Sequence, residues 1–267
     1  GGVRMIPILF NRRGGSGGAA ASGPPAPPTF TAGRLLLSVE YLRYTGALWQ
    51  DTAEAIPAVA HNDPVGRAVV GGINYDAPTD GARPLLQDVS GCWALLGDGV
   101  NDTLVGQTDL TWSGGGVTVM LACELLALGN YSCIAGSGTG AAWNVRWPTT
   151  DGRPAIINAA TNGGGGEASS ATPSGTTTNM VGAGPQVISG RVTAADVWTL
   201  RQAGTLRDTS SVTTRPGANS RPIRLFARSD GFFVNALLYG IFACDTDLSD
   251  GDILTGEAFL TDLFTPA

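Results

Sequence analysis

The chain has 267 residues, a net charge of −6 and 43% hydrophobic residues, so it can bury a core as one large domain or two small ones. Only 14% of the residues are charged, and 39 glycines and 16 prolines favour many turns between short strands over a helical protein. All sixteen basic residues are arginine, and the acidic balance excludes nucleic-acid binding as the main function, because a phosphate backbone requires a basic field.

The first 33 residues are predicted to form a tether. An apolar peptide with Ile6, Ile8, Leu9 and Phe10 precedes a Gly/Ser-rich stretch over residues 14–21 and a proline-rich stretch over residues 23–28. Such a segment has no face to bury, and it combines a flexible part with a stiff one. Its apolar tip is either a disordered end or a peptide that docks into a partner's groove or sheet. No apolar run has the length of a membrane-spanning helix, so we expect no membrane insertion.

Residues 34–267 are predicted to form one domain that begins with a strand over residues 34–44. Apolar runs separated by glycine or Asp-Gly turns then recur at 92–96, 117–128, 131–135, 142–147, 155–157, 186–192 and 197–201. The run 117–128 is long for one strand and is expected to bend near Cys123. Residues 161–178 are rich in Gly, Ser and Thr and are predicted to be an exposed loop. Because turn signals recur without alternating helices, two antiparallel sheets packed face to face are predicted.

The end of the domain is predicted to be a hairpin followed by a helix. The apolar runs 223–227 and 232–244 flank residues 228–231, where an Asp-Gly pair readily supplies the positive φ of a turn. After residue 244, the spacing of Ile253, Gly256 and Leu260, continued by Leu263 or Phe264, indicates one face of a short helix. Ser249 stands where the N-cap of that helix belongs.

Three stretches of this chain resemble one family. Residues 221–240 read RPIRLFARSDGFFVNALLYG, and residues 245–250 continue with an Asp-x-x-Leu-Ser-Asp pattern. Residues 83–86, 91–93 and 98–102 give an Arg-Pro strand start, a Gly-Cys-Trp strand start and the turn DGVND. Residues 48–53 and 63–67 provide the third match. Together they resemble phage or phage-like virion proteins with a concanavalin A-like (laminin G-like) domain, over roughly residues 48–264. Residues 69–76 depart from the family's usual Asp-x-Ser-Gly and His-Ala pattern.

The resemblance implies an all-β fold, a concanavalin A-like jelly-roll sandwich with a short C-terminal helix. It also implies a non-enzymatic virion surface protein, such as a fibre, spike or head decoration component, that contacts host surface polysaccharide. Its expected partners are other capsid or tail proteins, to which Ile6, Ile8, Leu9 and Phe10 would attach it, and its expected state is a homotrimer. A purely structural capsid or tail component without a glycan ligand is the alternative, and a polysaccharide-degrading enzyme is a distant one.

Catalytic chemistry has few candidates in this sequence. His61 is the single histidine, no G-x-S-x-G motif occurs, and Glu124 lacks the acidic neighbours of a glycosidase strand. We therefore expect no catalytic residues and no cofactor. Four widely spaced cysteines, Cys92, Cys123, Cys133 and Cys244, are interpreted as small buried hydrophobes rather than disulfides. Four aspartates, Asp245, Asp247, Asp250 and Asp252, offer oxygens to calcium, but their place at a helix start favours capping over a metal.

Glycan recognition requires an aromatic plane with polar groups around it. The sequence predicts that Tyr75, Asp76, Arg146 and Trp147 form such a site in loops at one end of the sandwich. An alternative interpretation of residues 143–147 is a packed inner face formed by Trp143, Val145 and Trp147, and the regular alternation favours it. The remaining tryptophans are core candidates, namely Trp49, Trp93, Trp112 and Trp198. The arginines at positions 215, 221, 224 and 228 are interpreted as a solvated strand face.

Overall fold

A computed structural model describes residues 23–113, 116–129, 133–136, 143–147, 152–157, 178–193, 197–211, 219–228 and 231–266. Of the described residues, 46% are in strands and 12% are helical, and they form two antiparallel sheets with a short C-terminal helix. The predicted jelly-roll sandwich is confirmed. No helix in the described part of the chain is long and apolar enough to cross a membrane.

The described residues contain eighteen strands, two α-helices and a short 3-10 turn at Asp80–Ala82. The strands are β1 (Gly33–Ser38), β2 (Leu48–Trp49), β3 (Arg67–Val70), β4 (Ile73–Asp76), β5 (Leu85–Val89), β6 (Cys92–Asp98), β7 (Leu104–Gly106), β8 (Leu110–Trp112), β9 (Val117–Ala127), β10 (Cys133–Gly136), β11 (Asn144–Arg146), β12 (Ala155–Ile157), β13 (Gln186–Val192), β14 (Val197–Gln202), β15 (Thr205–Ser211), β16 (Asn219–Arg221), β17 (Arg224–Leu225) and β18 (Asn235–Cys244). The helices are α1 (Val39–Thr45) and α2 (Asp250–Asp262).

The strands form two large sheets. The first has the order β15-β14-β13-β9-β18-β6-β5, and β1 also pairs with β18. The second has the order β12-β11-β10-β17-β7-β4-β3-β2, and β16 pairs with β8 as a separate ribbon. Aliphatic and aromatic side chains from both sheets meet in one continuous core. This burial is what the recurring apolar runs of the sequence require.

Strand β18 is the centre of the first sheet. It pairs with β9 along its whole length, and its other edge pairs with β6 over residues 235–238 and with β1 over residues 240–244. All of its residues except Asn235 are buried. Strand β9 runs without a break through Cys123, where a bend was predicted. The irregularity lies instead in the paired strand β18, whose register shifts between Leu238, which pairs with Cys123, and Gly240.

Helix α2 covers the outer face of the first sheet. Its buried residues are Ile253, Gly256, Glu257 and Leu260, so the predicted helix and its apolar face are confirmed. Ser249 is the N-cap, and its Oγ accepts a hydrogen bond of 3.1 Å from the backbone N–H of Asp252. Such a cap satisfies one of the free N–H groups of the first turn.

A buried ion pair fixes α2 to the sheet beneath it. Both carboxylate oxygens of Glu257 accept hydrogen bonds from Arg201 of β14, at 2.8 and 3.1 Å. The hydroxyl of Ser189 on β13 also donates to Glu257. The Glu257 hydrogen bond raises the pKa of Arg201. Because the carboxylate is buried, these three donors are what make its burial tolerable.

Phe30 is the first aromatic residue packed on this layer. Its ring meets that of Phe242 edge-on at 5.4 Å, and Phe242 also contacts Phe259 of α2 at 5.7 Å. The packed part of the chain therefore includes Phe30. The predicted anchor residues Ile6, Ile8, Leu9 and Phe10 lie outside the described residues, as does the predicted loop 161–178 apart from residue 178.

The strand predicted over residues 34–44 is wrong in its second half, which forms helix α1. The Ser38 side chain accepts a hydrogen bond from the Tyr41 N–H, and Gly46 ends the helix with a φ of 74°. A capping serine and a left-handed glycine thus override an alternation that favoured a strand. In this position Arg43 places its guanidinium 3.7 Å from the ring centroid of Trp93.

The predicted hairpin of runs 223–227 and 232–244 is also wrong as a strand pair. Strand β17 belongs to the second sheet, whereas β18 belongs to the first. A single bridge between Ala227 and Phe233, with backbone hydrogen bonds from the Arg228 N–H to Phe232 and from the Val234 N–H to Phe226, joins the described parts of the two runs locally. Directly after β17, Phe226 has a φ of 65°, a left-handed conformation that is unusual for a bulky residue and redirects the chain from one sheet to the other.

The described cysteines are buried thiols, and two of the four clustered aspartates form ion pairs. Cys92, Cys123 and Cys244 are buried free thiols, as predicted, and the side chain of Cys133 lies outside the described residues. Asp245 accepts hydrogen bonds from the Ser113 N–H and hydroxyl and pairs with Arg34 at 3.3 Å. Asp250 pairs with Arg191 at 2.8 Å.

Replacing Gly240 by alanine is expected to destabilise the protein. A Cβ at this position of β18 would lie 2.7 Å from Leu263 Cδ1 and 2.9 Å from the carbonyl oxygen of Leu37. We expect a loss of about 1–3 kcal/mol in the free energy of unfolding, measured by urea denaturation. Gly251→Ala in α2 is the control, because its nearest neighbour is Ser249 Oγ at 3.8 Å. An equal loss in both variants would contradict the close packing of α2 on β18.

Asp102 makes the stability of the turn after β6 depend on pH. Asp102 is 6% exposed. Burial and the nearby charge of Asp98 raise the pKa of Asp102 to about 6, against the lowering effect of a hydrogen bond from the Asp98 N–H. The folded state therefore binds this proton more tightly than the unfolded chain, whose aspartates titrate near about pH 4. Consequently, stability falls as pH rises from about 4 to about 6.

Asp102→Asn should remove this dependence. We expect the variant to melt at a higher temperature than the wild type at pH 7.5 and at the same temperature below about pH 4, because the amide oxygen still accepts from the Asp98 N–H. Asp109→Asn, at an exposed position, is the control. As pH rises from about 4 to about 6, the melting temperature of the wild type should fall relative to that of Asp102→Asn. If it does not, Asp102 is not the source of the pH dependence.

Candidate functional site

Backbone pairing aligns one residue from each of seven strands into a row across the second sheet. The aligned residues are Trp49, Arg67, Asp76, Val105, Arg224, Gly136 and Asn144, in that spatial order. Directly paired residues of antiparallel strands present their side chains on the same face of a sheet. We call this set the outward row.

The outward row lies on the face of the sheet that points away from the core. The residues next to it along each strand are fully buried in the core between the sheets, namely Leu48, Ala68, Tyr75, Leu104, Leu225, Ala135 and Val145. Because side chains alternate along a strand, the row must face the opposite side. Its members from Trp49 to Arg224 are partly exposed.

One end of the row carries an aromatic ring beside a fixed ion pair. Arg67 donates from Nε and Nη2 to the two carboxylate oxygens of Asp76, at 2.7 and 2.8 Å, and from Nη1 to Glu54 at 2.9 Å. The Asp76 hydrogen bond, followed by that of Glu54, raises the pKa of Arg67 despite its burial. Trp49 is paired with Arg67 at the sheet edge and is partly exposed. Planar donors and acceptors are therefore held rigidly beside an indole.

The middle of the row carries a guanidinium that no described residue neutralises. Arg224 lies two strands from Asp76, beyond Val105. No described residue forms an ion pair or a hydrogen bond with its side chain, which is partly exposed. The contrast with Arg67, which two carboxylates neutralise, makes Arg224 the open positive charge among the described members of the row.

The far end of the row carries a buried amide. Asn144 is 1% exposed, and neither its side-chain oxygen nor its nitrogen has a hydrogen-bond partner among the described residues. A Cβ built on Gly136 would lie only 1.9 Å from Asn144 Oδ1, so the amide lies over β10, on the side of Arg224. Glycine at position 136 is what leaves space for it.

The structure separates the four residues predicted to bind glycan. Tyr75 and Trp147 are buried in the core at 1% and 0% exposure, so their assignment to an exposed site is wrong, and burial raises the pKa of Tyr75. Asp76 lies in the outward row, and Arg146 lies on the same face but is 3% exposed. Strands β4 and β11 are four strand spacings apart, about 19 Å, so these residues do not form one loop site.

The alternative interpretation of residues 143–147 is confirmed. Trp143, Val145 and Trp147 are fully buried, and the ring of Trp143 packs edge-on against that of Trp112 at 5.7 Å. Trp112 is therefore a core residue as predicted, and Trp93 is partly buried against the core, whereas the side chain of Trp198 lies outside the described residues. Trp49 was predicted to be core but is partly exposed and belongs to neither core cluster.

No protein-family model matches this chain, and no curated protein sequence matches it. Among solved structures, the binding domain of Paraclostridial Mosquitocidal Protein 1 superposes with a TM-score of 0.50 at 13% identity, covering 71% of this chain and 49% of that one. Trypanosoma rangeli sialidase in complex with the inhibitor DANA superposes with a TM-score of 0.52 at 10% identity, covering 85% of this chain and 38% of the sialidase. The chain spans less than half of either protein. At these identities the likeness is one of fold, a lectin-like β-sandwich.

Asn144→Leu is expected to stabilise the protein. The substitution keeps the branched shape of the side chain but removes a buried amide that no described residue satisfies, and burying such an amide costs about 1–3 kcal/mol. A rise in melting temperature of a few degrees, measured by calorimetry, is the expected result. Asn101→Leu, at an exposed turn position, serves as the control and should change little. A lower melting temperature for Asn144→Leu would mean that the amide is satisfied in solution.

Proposed function

We propose that this protein binds host surface polysaccharide through the outward row without cleaving it, as a surface component of a phage or phage-like particle. The observation that carries the proposal is the composition of the row. It presents an indole (Trp49), an ion pair (Arg67 with Asp76) and a second guanidinium (Arg224), all partly exposed, on the outer face of one sheet. An aromatic plane surrounded by such groups is the inventory that sugar recognition requires.

The rigidity of the row favours binding. Arg67 is held by three hydrogen bonds, and all its aligned partners stand on strands rather than on loops. Little side-chain freedom is then lost when a sugar is bound. Trp49 would stack on the apolar face of a sugar ring, while the free lone pairs of Asp76 would accept from hydroxyl groups.

The partners of the site's carboxylates argue for binding rather than hydrolysis. A glycosidase needs one carboxylic acid that keeps its proton near neutral pH. At this site, both oxygens of Asp76 and one oxygen of Glu54 already accept hydrogen bonds from Arg67. The described carboxylates nearest Trp49 are therefore held as hydrogen-bond acceptors by the protein.

The particle assignment rests on the sequence motifs and on the tether. The stretches at 48–67, 83–102 and 221–250 resemble phage virion proteins, and the apolar peptide with Ile6, Ile8, Leu9 and Phe10 would attach the sandwich to capsid or tail proteins. Several copies, in a homotrimer or arranged over a particle, would convert weak single sites into useful avidity if their spacing matches that of the glycan.

Adsorption of particles to host cells tests this proposal. We compare particles that carry the wild-type protein, Trp49→Ala or Tyr44→Ala, the last being a 62% exposed aromatic residue on α1 and therefore a matched control. Adsorption should fall about tenfold or more for Trp49→Ala and stay unchanged for Tyr44→Ala. The bound polysaccharide should release no reducing ends.

Three results would contradict parts of the proposal. Normal adsorption by particles that lack the whole protein would favour a purely structural component. Normal adsorption by Trp49→Ala, with an unchanged melting temperature, would remove the outward row as the site. Release of reducing ends by the purified full chain would show an enzyme.

A further inference from the structure

Building on the proposed function, we infer that the Trp49 end of the outward row selects an amino sugar, whose ammonium group binds between the Trp49 indole and the Glu54 carboxylate. Three features of this end support the inference: a partly exposed indole without a stacking partner, a carboxylate with one unbonded oxygen, and an excess of negative charge. The ligand class is a polysaccharide with free amino groups, built from sugars such as glucosamine or galactosamine rather than their N-acetyl forms.

The Trp49 ring offers a surface to a cation. Trp49 is partly exposed, and among the described residues no ring and no cation stacks on its indole. Trp93 is different, because the Arg43 guanidinium already lies 3.7 Å from its ring centroid. A tryptophan ring attracts an ammonium group placed within about 6 Å of its centroid, because the face of the ring carries partial negative charge. An acetamido group at the same place would lack this attraction.

Glu54 presents an oxygen that no described residue binds. Its Oε1 accepts from Arg67 Nη1 at 2.9 Å, whereas its Oε2 has no hydrogen-bond partner in the described part of the chain. The Glu54 side chain is 41% exposed. Arg67 pairs directly with Trp49, and the Cβ atoms of such a pair are about 5 Å apart on the same face of the sheet. An ammonium group on the indole is therefore within reach of the carboxylate that Arg67 holds.

The charge of this cluster favours a cation over an anion. Arg67 faces two carboxylates, those of Asp76 and Glu54, so the cluster has one negative charge in excess. Arg224 is four strand spacings from Trp49, about 19 Å, and charges that far apart are largely screened at physiological salt. An ammonium group would balance the excess charge, whereas the carboxylate of an acidic sugar would be repelled.

The loop that carries Glu54 is ordered by its own hydrogen bonds. Asp51 Oδ1 accepts from the backbone N–H groups of Ala53 and Ala55, at 2.8 and 3.2 Å. Glu54 has a φ of 59°, a left-handed conformation that is uncommon for residues other than glycine and asparagine. Arg67 then fixes the end of the side chain. A carboxylate held in this way loses little conformational freedom when a ligand binds.

The test measures binding of the full-length protein to paired oligosaccharides. The panel consists of glucosamine and galactosamine oligomers, each with its fully N-acetylated form, and polylysine as an unrelated polycation. Binding is measured by calorimetry at mildly acidic pH, where the amino groups carry protons. We expect the wild type to bind at least one amino form about tenfold or more tightly than its acetylated form. That preference should weaken as salt is raised, because a partly exposed ion pair is screened.

A pair of variants assigns the preference to Glu54. Glu54→Gln keeps an oxygen that can accept from Arg67 but removes one negative charge, and it should reduce the difference between the amino and the acetylated oligomers to about twofold or less. Asp262→Asn removes the same charge from an exposed position of α2, over the other sheet, and should preserve the difference. Both variants should melt like the wild type, because exposed ion pairs contribute little to stability.

The outcomes separate this inference from the proposed function. Equal binding to amino and acetylated oligomers, lost in Trp49→Ala, would overturn the amino-sugar preference and leave glycan binding standing. Equal losses in Glu54→Gln and Asp262→Asn, or tightest binding to polylysine, would show attraction by unspecific charge and overturn the inference. No binding to either amino oligomer would also overturn it, and no binding to any glycan together with normal adsorption of Trp49→Ala particles would overturn both.

Discussion

The pairing of β18 holds the sandwich together. This strand takes β9 on one side and both β6 and β1 on the other, so it joins the start, the middle and the end of the domain into one sheet. Both of its faces are buried, one in the core between the sheets and the other beneath α2. A strand buried on both faces can consist almost entirely of apolar residues, as β18 does. The second sheet packs on this scaffold, and the outer face of its strands β2, β3, β4, β7 and β17 is partly exposed.

That open face explains why the outward row combines order with exposure. Each strand contributes alternate residues to a core that is fully packed, so the backbone beneath the row is fixed by apolar contacts. The side chains above it are then free to be polar at no cost to the core. Arg67 and Asp76 satisfy one another, whereas Arg224 and Asn144 do not find partners among the described residues.

Much of the fold follows from local signals. The rhythm of apolar runs and turns predicted two antiparallel sheets, Ser249 with the spacing of Ile253 and Leu260 predicted α2, and the alternation around Val145 favoured a packed inner face. The errors arose where backbone conformation overrides pattern. Ser38 and Gly46 turn half of a predicted strand into α1, and the left-handed Phe226 carries the chain to the other sheet. The outward row could not be predicted, because it aligns residues as distant as Trp49 and Arg224 through a register that no local pattern encodes.

The position of β18 in the chain also governs how the domain is made. Its neighbours β1, β6 and β9 leave the ribosome long before it does, and until residue 244 has been synthesised their edges toward β18 have no strand to pair with. Unpaired edges of apolar strands invite association with other chains. Contacts between β1 and β18 span most of the sequence, which predicts slow folding. The first sheet can therefore close only once β18 has been synthesised, and until then the edges of β6 and β9 are open to association with other chains.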